Sequence, residues 1–143
     1  MKKIGLFTCL VIGLAVTSCA SDKSDDPNAP APSTDARDKF VAYWSVSENS
    51  SLAGTTSHTV NIVKSTTNSS EIQLNNFSGL SLSARASVNN NILTIPYQSI
   101  GSPNPIGFTQ GTGTLTSATS ISFNYTTTIG TSRDSSTAVY TKQ

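Results

Sequence analysis

The side chains that could do acid–base, nucleophilic or metal chemistry are few in this chain, and their placement suits none of those jobs. His58 is the only imidazole. A Ser–His–acid triad would need it as the base, but it stands among Thr and Ser at the start of a strand. No Gly-x-Ser-x-Gly elbow occurs to present a nucleophile. His58 reads as a solvent-facing strand residue. Beyond residue 36 the acids are Asp38, Glu48, Glu71 and Asp134. Glycoside hydrolysis sets two carboxylates across a sugar. Here Asp38 falls at the entry to the domain and Glu48 and Asp134 near strand ends, where solubility and turn roles explain them. No His, Cys and acid cluster has metal-ligand character. Gly111-x-Gly113 lacks the Lys and the following helix of a phosphate loop. The expectation is a protein with no catalytic, metal or cofactor site, and hence not an enzyme.

The two cysteines are read by the segments that hold them. Met1-Lys2-Lys3 is a positive start, residues 4–16 are almost wholly apolar, and Thr17-Ser18-Cys19-Ala20 follows. A charged n-region, an apolar h-region and a small-residue site make a secretory signal. The apolar run is too short to span a bilayer, which takes roughly 20 residues. Val16-Thr17-Ser18-Cys19 resembles the bacterial lipobox, with Val16 in the place usually held by Leu. That resemblance implies cleavage after Ser18 and diacylglyceryl attachment to Cys19. Two or three acyl chains anchor a protein where one does not. Cys9 then leaves with the leader and Cys19 is capped, so no free thiol or disulfide remains.

Residues 21–36 hold three Pro and four Asp, with no aromatic or β-branched aliphatic residue. Such a segment buries too little apolar surface to offset its ordering entropy, and the Ala-Pro repeats stiffen it towards polyproline II. Lys23-Ser24-Asp25-Asp26 resembles the acidic export signal of Bacteroidetes-type surface lipoproteins, which implies an outer-membrane, cell-surface location in preference to a periplasm-facing one. The expected organisation is a signal peptide over 1–18, a lipidated Cys and tether over 19–36, and a folded domain over 37–143.

The elements that must position any site are strands. The chain of 143 residues is 12% charged and carries a net charge of +1, against about 25% charge in ordinary domains. This excludes a coiled coil and disfavours nucleic-acid binding, which needs many cationic contacts. The polar share is made of hydroxyls, 24 Ser and 20 Thr. No helical apolar period persists. Period-two alternation recurs instead. Residues 120–129 are clearest, with Ile121, Phe123, Tyr125, Thr127 and Ile129 on one face and Ser122, Asn124, Thr126 and Thr128 on the other. Phe40, Ala42, Trp44 and Val46 form a second stripe, and Leu80, Leu82, Ala84, Ala86 and Val88 a third. Fainter runs cover 58–64, 70–76, 91–99, 106–116 and 135–142. Turn signals separate them, among them Asn89-Asn90-Asn91 and Gly130-Thr131-Ser132. Eight strands joined by short links predict an all-β, antiparallel up-and-down barrel. An Ig-like β-sandwich is the alternative, but it wants a long Greek-key crossover. Gly107, Gly111 and Gly113 are expected to be bend positions along the sixth strand.

The stretch Phe40-Val41-Ala42-Tyr43-Trp44 resembles the opening strand of lipocalin-like proteins, with Ala42 in the place of a family Gly. Asn91-Ile92-Leu93-Thr94-Ile95-Pro96 and the Gly-Thr-Gly-Thr-Leu-Thr of 111–116 are similar to small lipocalin-like bacterial lipoproteins. The resemblance spans the whole domain. It implies a barrel whose closed end is plugged by Trp44 and whose mouth takes a small apolar ligand. Trp44, Leu82, Phe108, Phe123, Tyr125 and Tyr140 are the expected cavity lining. The alternative is an envelope interaction or inhibitor protein with a filled barrel, for which 48–56 and 101–105 are the loops to watch. The expected partners are a membrane, through the lipid, and a small apolar molecule, with no nucleic acid.

Overall fold

Alternating strands give a sheet with one apolar face that must be covered. In a computed structural model, which describes residues 35–143 except 102, 103 and 105, the sheet covers that face by curling shut. Its strands are β1 (Ala42–Ser50), β2 (Gly54–Lys64), β3 (Glu71–Phe77), β4 (Leu82–Asn89), β5 (Ile92–Ile100), β6 (Gly107–Ser117), β7 (Ser120–Ile129) and β8 (Ser132–Lys142). Each pairs antiparallel with its neighbour in sequence, and β8 returns to pair with β1. The fold is the closed eight-stranded up-and-down barrel, not the sandwich. Closure leaves no edge open to aggregation. The signal segment, Cys19 and most of the tether lie outside the described residues.

The links are as short as the turn residues allow. Asn90 takes a left-handed conformation, φ 50°, in the two-residue link between β4 and β5, a conformation Asn tolerates better than most residues. Between β1 and β2 only residues 51–53 stand free, and Gly54 follows at φ 72°, a left-handed conformation that glycine takes at no steric cost. The loop expected over 48–56 is therefore mostly strand. Leu80, expected in the third stripe, sits exposed in the link before β4.

Hairpin connectivity sorts the links onto two ends. The links after β2, β4 and β6 lie at one end, with the chain entry. Those after β1, β3, β5 and β7 lie at the other. The first end is closed. Phe40 and Trp44 are fully buried there, and Trp44 Nε1 donates to the carbonyl of Phe40 at 2.8 Å. Arg37 straps the entry down, donating to the carbonyls of Ser65, Asn68 and Glu71 at 3.0–3.3 Å. Asp35 pairs with Arg37 at 2.8 Å and with Lys64 at 3.0 Å. The hydrogen bonds from Arg37, ahead of that from Lys64, hold the Asp35 carboxyl far below the usual carboxylate range.

The interior above this plug is apolar. Val46, Ile62, Ile72, Leu74, Leu93, Ile95, Ile121, Phe123 and Tyr140 belong to one core cluster, and the Phe123 and Tyr140 rings meet at 4.8 Å. On β6 the inward residues from Gly107 to Gly113 are small. Gly113 faces Phe123 and Gly111 faces Tyr125 across the β6–β7 ladder. A Cβ on Gly113 would fall on the Phe123 ring, and one on Gly111 on Tyr125. Glycine there admits the aromatic groups of β7 against the wall, the arrangement by which aromatics cover strand glycines. Backbone pairing is thinnest between β4 and β5, limited to Ser87–Asn89 against Ile92–Thr94. Further along, the Gln98 amide takes over, accepting from Arg85 N at 3.0 Å and donating to Arg85 O at 2.7 Å.

Candidate functional site

At the open end the alternation continues but the inward residues turn polar. Along β1 the inward series is Trp44, Val46, Glu48 and Ser50, and along β2 it is His58, Val60 and Ile62. Glu48 is 3% exposed and the His58 side chain 10%. Both readings from sequence are corrected. Neither residue is a solvated surface or turn group, because the strands run further than their apolar residues do.

Two hydroxyls satisfy part of the Glu48 carboxylate. Ser136 on β8 donates to Oε1 at 2.7 Å, and Ser78 in the β3–β4 link lies 3.1 and 3.3 Å from the two oxygens. His58 Nε2 is 3.8 Å from Oε2, beyond hydrogen-bond range. That nitrogen and the Tyr140 hydroxyl are buried without a hydrogen-bond partner, while the Tyr125 hydroxyl faces the Glu48 carboxylate. Burial lowers the pKa of His58, outweighing the attraction of Glu48 for its charged form. The imidazole is therefore neutral at pH 7. Burial also raises both tyrosines, with the hydrogen bond to Glu48 adding to it for Tyr125 and the Glu48 charge for Tyr140, so they keep their protons. Orphaned polar groups at such depth are costly.

Above them lies a cavity of about 440 Å³, lined by Glu48, Ser50, His58, Ser78, Thr127 and Asp134 with Leu52, Leu80 and Ile129 at its rim. The chain bends over it between β3 and β4, with Asn76 near the end of β3 and Ser78 and Ser81 in the link all at positive φ. Such conformations cost about 1 kcal/mol or more each and gather at functional sites. Asn76 offsets part of this, donating to Thr59 O at 2.8 Å and accepting from Ser81 N at 2.9 Å. Gly79 packs against the His58 ring, where a Cβ would stand 3.2 Å from Cγ. Asp134 holds the facing β1–β2 link, accepting from Ser50 Oγ at 2.6 Å, Ser51 Oγ at 2.8 Å and Leu52 N at 3.3 Å.

None of the six residues expected to line a cavity lines this one. Trp44, Phe123 and Tyr140 are packed in the core, and Tyr125 reaches only the underside of Glu48. Leu82 is half-buried in the wall. Phe108 is outside the barrel altogether, 43% exposed and stacked on Tyr97 at 5.1 Å. Its inward neighbours are Gly107 and Thr109, so the parity of β6 is set by its small residues. Among the described residues no three His, Cys, Asp or Glu side chains group closely enough to hold a metal ion.

The architecture has solved counterparts. A redesigned beta barrel is similar with a TM-score of 0.56 at 14% identity, covering 79% of this chain and 99% of that one. The structure of EF1p2_mFAP2b bound to DFHBI is similar at a TM-score of 0.55 and 13% identity, over 76% and 98% of the two chains. The redesigned beta barrel mFAP1, bound to DFHBI, is similar at a TM-score of 0.55 and 18% identity, over 77% and 100%. At these identities the likeness is one of fold. No family model matches the chain, and no curated protein does either.

Proposed function

We propose that this chain is a lipocalin-like surface lipoprotein of the bacterial outer membrane, tethered through Cys19, whose barrel binds a small, partly apolar molecule at its open mouth and catalyses no reaction. The observation that carries the reading is the cavity of about 440 Å³ above an apolar core, with an aliphatic rim and with Glu48 and the unpartnered His58 Nε2 at its floor. Ligand sites are concave, mostly apolar and fixed by a few convergent polar groups. Two of the similar barrels are recorded with DFHBI bound. The polar cluster suits holding more than catalysis. Ser136 and Ser78 spend their protons on Glu48 and not on His58, which is the wrong order for a Ser–His–acid relay. The outer face of the strands is hydroxyl-rich, the reverse of a membrane-spanning barrel, which supports attachment through a lipid over insertion of the strands.

Trp44 sits at the closed end and would not report on the mouth. The test is titration with a neutral solvatochromic dye such as Nile red, comparing the chain with its Leu52→Asp/Ile129→Asp variant. A blue-shifted emission that the rim variant loses supports the reading; no shift with the unaltered chain overturns it. Incorporation of labelled palmitate, absent from Cys19→Ala, tests the anchor.

The second reading is a protein-interaction role. It is favoured by one surface feature: a bulge at Pro96-Tyr97 turns Tyr97 outward, 68% exposed, onto Phe108. A pull-down from solubilised membranes that recovers the same protein with the chain, but not with Tyr97→Ser, would support it.

A further inference from the structure

The mouth has a charge pattern that selects among ligands. Glu48 and Asp134 line the cavity, and among the described residues no Lys or Arg does. Asp134 is occupied by its three bonds to the β1–β2 link. Glu48 is different: it is buried, carries only hydroxyl donors, and has no cation near it apart from an imidazole that burial keeps neutral. A buried carboxylate is normally paired with a charge. The other groups facing it are Tyr125 from β7, whose hydroxyl is placed to donate to it, Tyr140 from β8, and His58 from β2, whose Nε2 has no hydrogen-bond partner. A neutral imidazole with its proton on Nδ1 offers Nε2 as an acceptor. The floor therefore presents the Glu48 carboxylate, with acceptor capacity beyond its hydroxyl donors, and beside it the unpartnered His58 Nε2.

The wall above is of the opposite character. Leu52 from the β1–β2 link, Leu80 from the β3–β4 link and Ile129 from the end of β7 stand there, all exposed aliphatic side chains.

We infer that the mouth selects a primary ammonium carried on a short apolar or aromatic body, the ammonium donating to Glu48 and His58 Nε2 and the body lying against Leu52, Leu80 and Ile129. This rests on the mouth being a ligand site, as proposed above. An ammonium brings three donors and no acceptor, which matches the floor, and its charge compensates Glu48. A carboxylate ligand would meet Glu48 with like charge, and a neutral alcohol would leave that charge uncompensated.

The experiment is a titration of the full chain with phenethylammonium, phenethyl alcohol and phenylacetate, followed by calorimetry and by the ring resonances of His58, the sole histidine. The expected result is binding of phenethylammonium at least tenfold tighter than phenethyl alcohol, no binding of phenylacetate, and movement of the His58 resonances. Glu48→Gln should bring the ammonium down to the level of the alcohol. If that variant does not fold, the ranking of the three probes on the unaltered chain decides alone. Equal binding of alcohol and ammonium, or preference for phenylacetate, overturns the ammonium inference and leaves the mouth as a ligand site. Binding of none of the three overturns it too, and the dye titration then reports separately on the mouth.

Discussion

At the scale of single residues, His58 and Glu48 show how a polar group inside a barrel escapes notice. Sequence reading places strands by contrast between apolar and polar positions, and that contrast vanishes where the interior itself turns polar. Ser47-Glu48-Asn49-Ser50 looks like a loop because neither face is apolar, yet the period of two set by Trp44 and Val46 carries straight through to Glu48 and Ser50. Extending that period was the available signal. The burial of His58 has a measurable consequence. Its pKa is lowered in the fold from an ordinary value of 6.5. The unfolded chain therefore takes up a proton first as the pH falls, so His58 contributes stability that is present above pH 6.5 and lost as the pH drops through the lowered folded value. An NMR titration of the single imidazole should find its midpoint below 6.5, and His58→Gln should flatten the stability profile below that pH. Gly113 is the second residue whose chemistry is steric. A Cβ there would meet three atoms of the Phe123 ring, which is itself wedged against Tyr140. Gly113→Ala gains up to about 1 kcal/mol from a stiffer unfolded chain but overpacks a full core at about 1–3 kcal/mol. Urea unfolding should show a net loss of about 1–2 kcal/mol.

At the scale of elements, the strands that could be read were those whose inward face stays apolar to the end. β7 (Ser120–Ile129) has the bounds that its alternation marks. β1, β2 and β8 all run further towards the mouth than their apolar residues reach. The misplacement of Phe108 has the same root. Aromatic character drew it to the interior, whereas Gly107, Gly111 and Gly113 share the opposite parity and mark the face that must admit Phe123 and Tyr125. The mouth links in turn depend on side chains far apart in sequence, which no local pattern displays. Asp134 on β8 holds the β1–β2 link by three hydrogen bonds. Partial burial works to raise its pKa, but donation by Ser50, Ser51 and the Leu52 amide prevails and the pKa is lowered below 3.8. A lowered carboxylate contributes stability above the unfolded value and loses it as the pH falls through the folded one. Asp134→Ala should therefore speed amide exchange at Leu52 and Ala53, at a cost of about 1 kcal/mol after solvent screening. The unaltered chain should show the same loosening only as the pH drops below 3.8. Amide exchange that stays slow in the variant would mean that Gly54 and the turn alone hold the link.

At the scale of the whole molecule, the barrel divides its labour along its axis. The closed end holds the chain entry, Trp44 and the Arg37 strap, while the open end holds the polar cluster and the cavity. Both described termini lie at the closed end. Gln143 N bonds to the carbonyl of Tyr43 at 3.0 Å, and Asp35 is tied to Lys64 at the same end of β2. Because β8 already pairs with β1, the native break between first and last strand is one of several equivalent places to cut the ring. Joining Gln143 to Asp35 by a short Gly-Ser linker and opening the chain between Asn90 and Asn91 leaves every strand pair, and the whole mouth, intact. That permutant should unfold in one cooperative urea transition, its midpoint lowered modestly by the freed turn, and should bind phenethylammonium as the native order does. Opening within residues 51–53 instead removes the link that Asp134 and Ser50 fix above Glu48. It should leave the barrel folded by far-ultraviolet circular dichroism while weakening ligand binding at least tenfold. If both permutants bind alike, the mouth does not need its β1–β2 link. If the closed-end cut abolishes folding, the covalent β4–β5 turn is needed to hold the point where the ring's backbone pairing is thinnest.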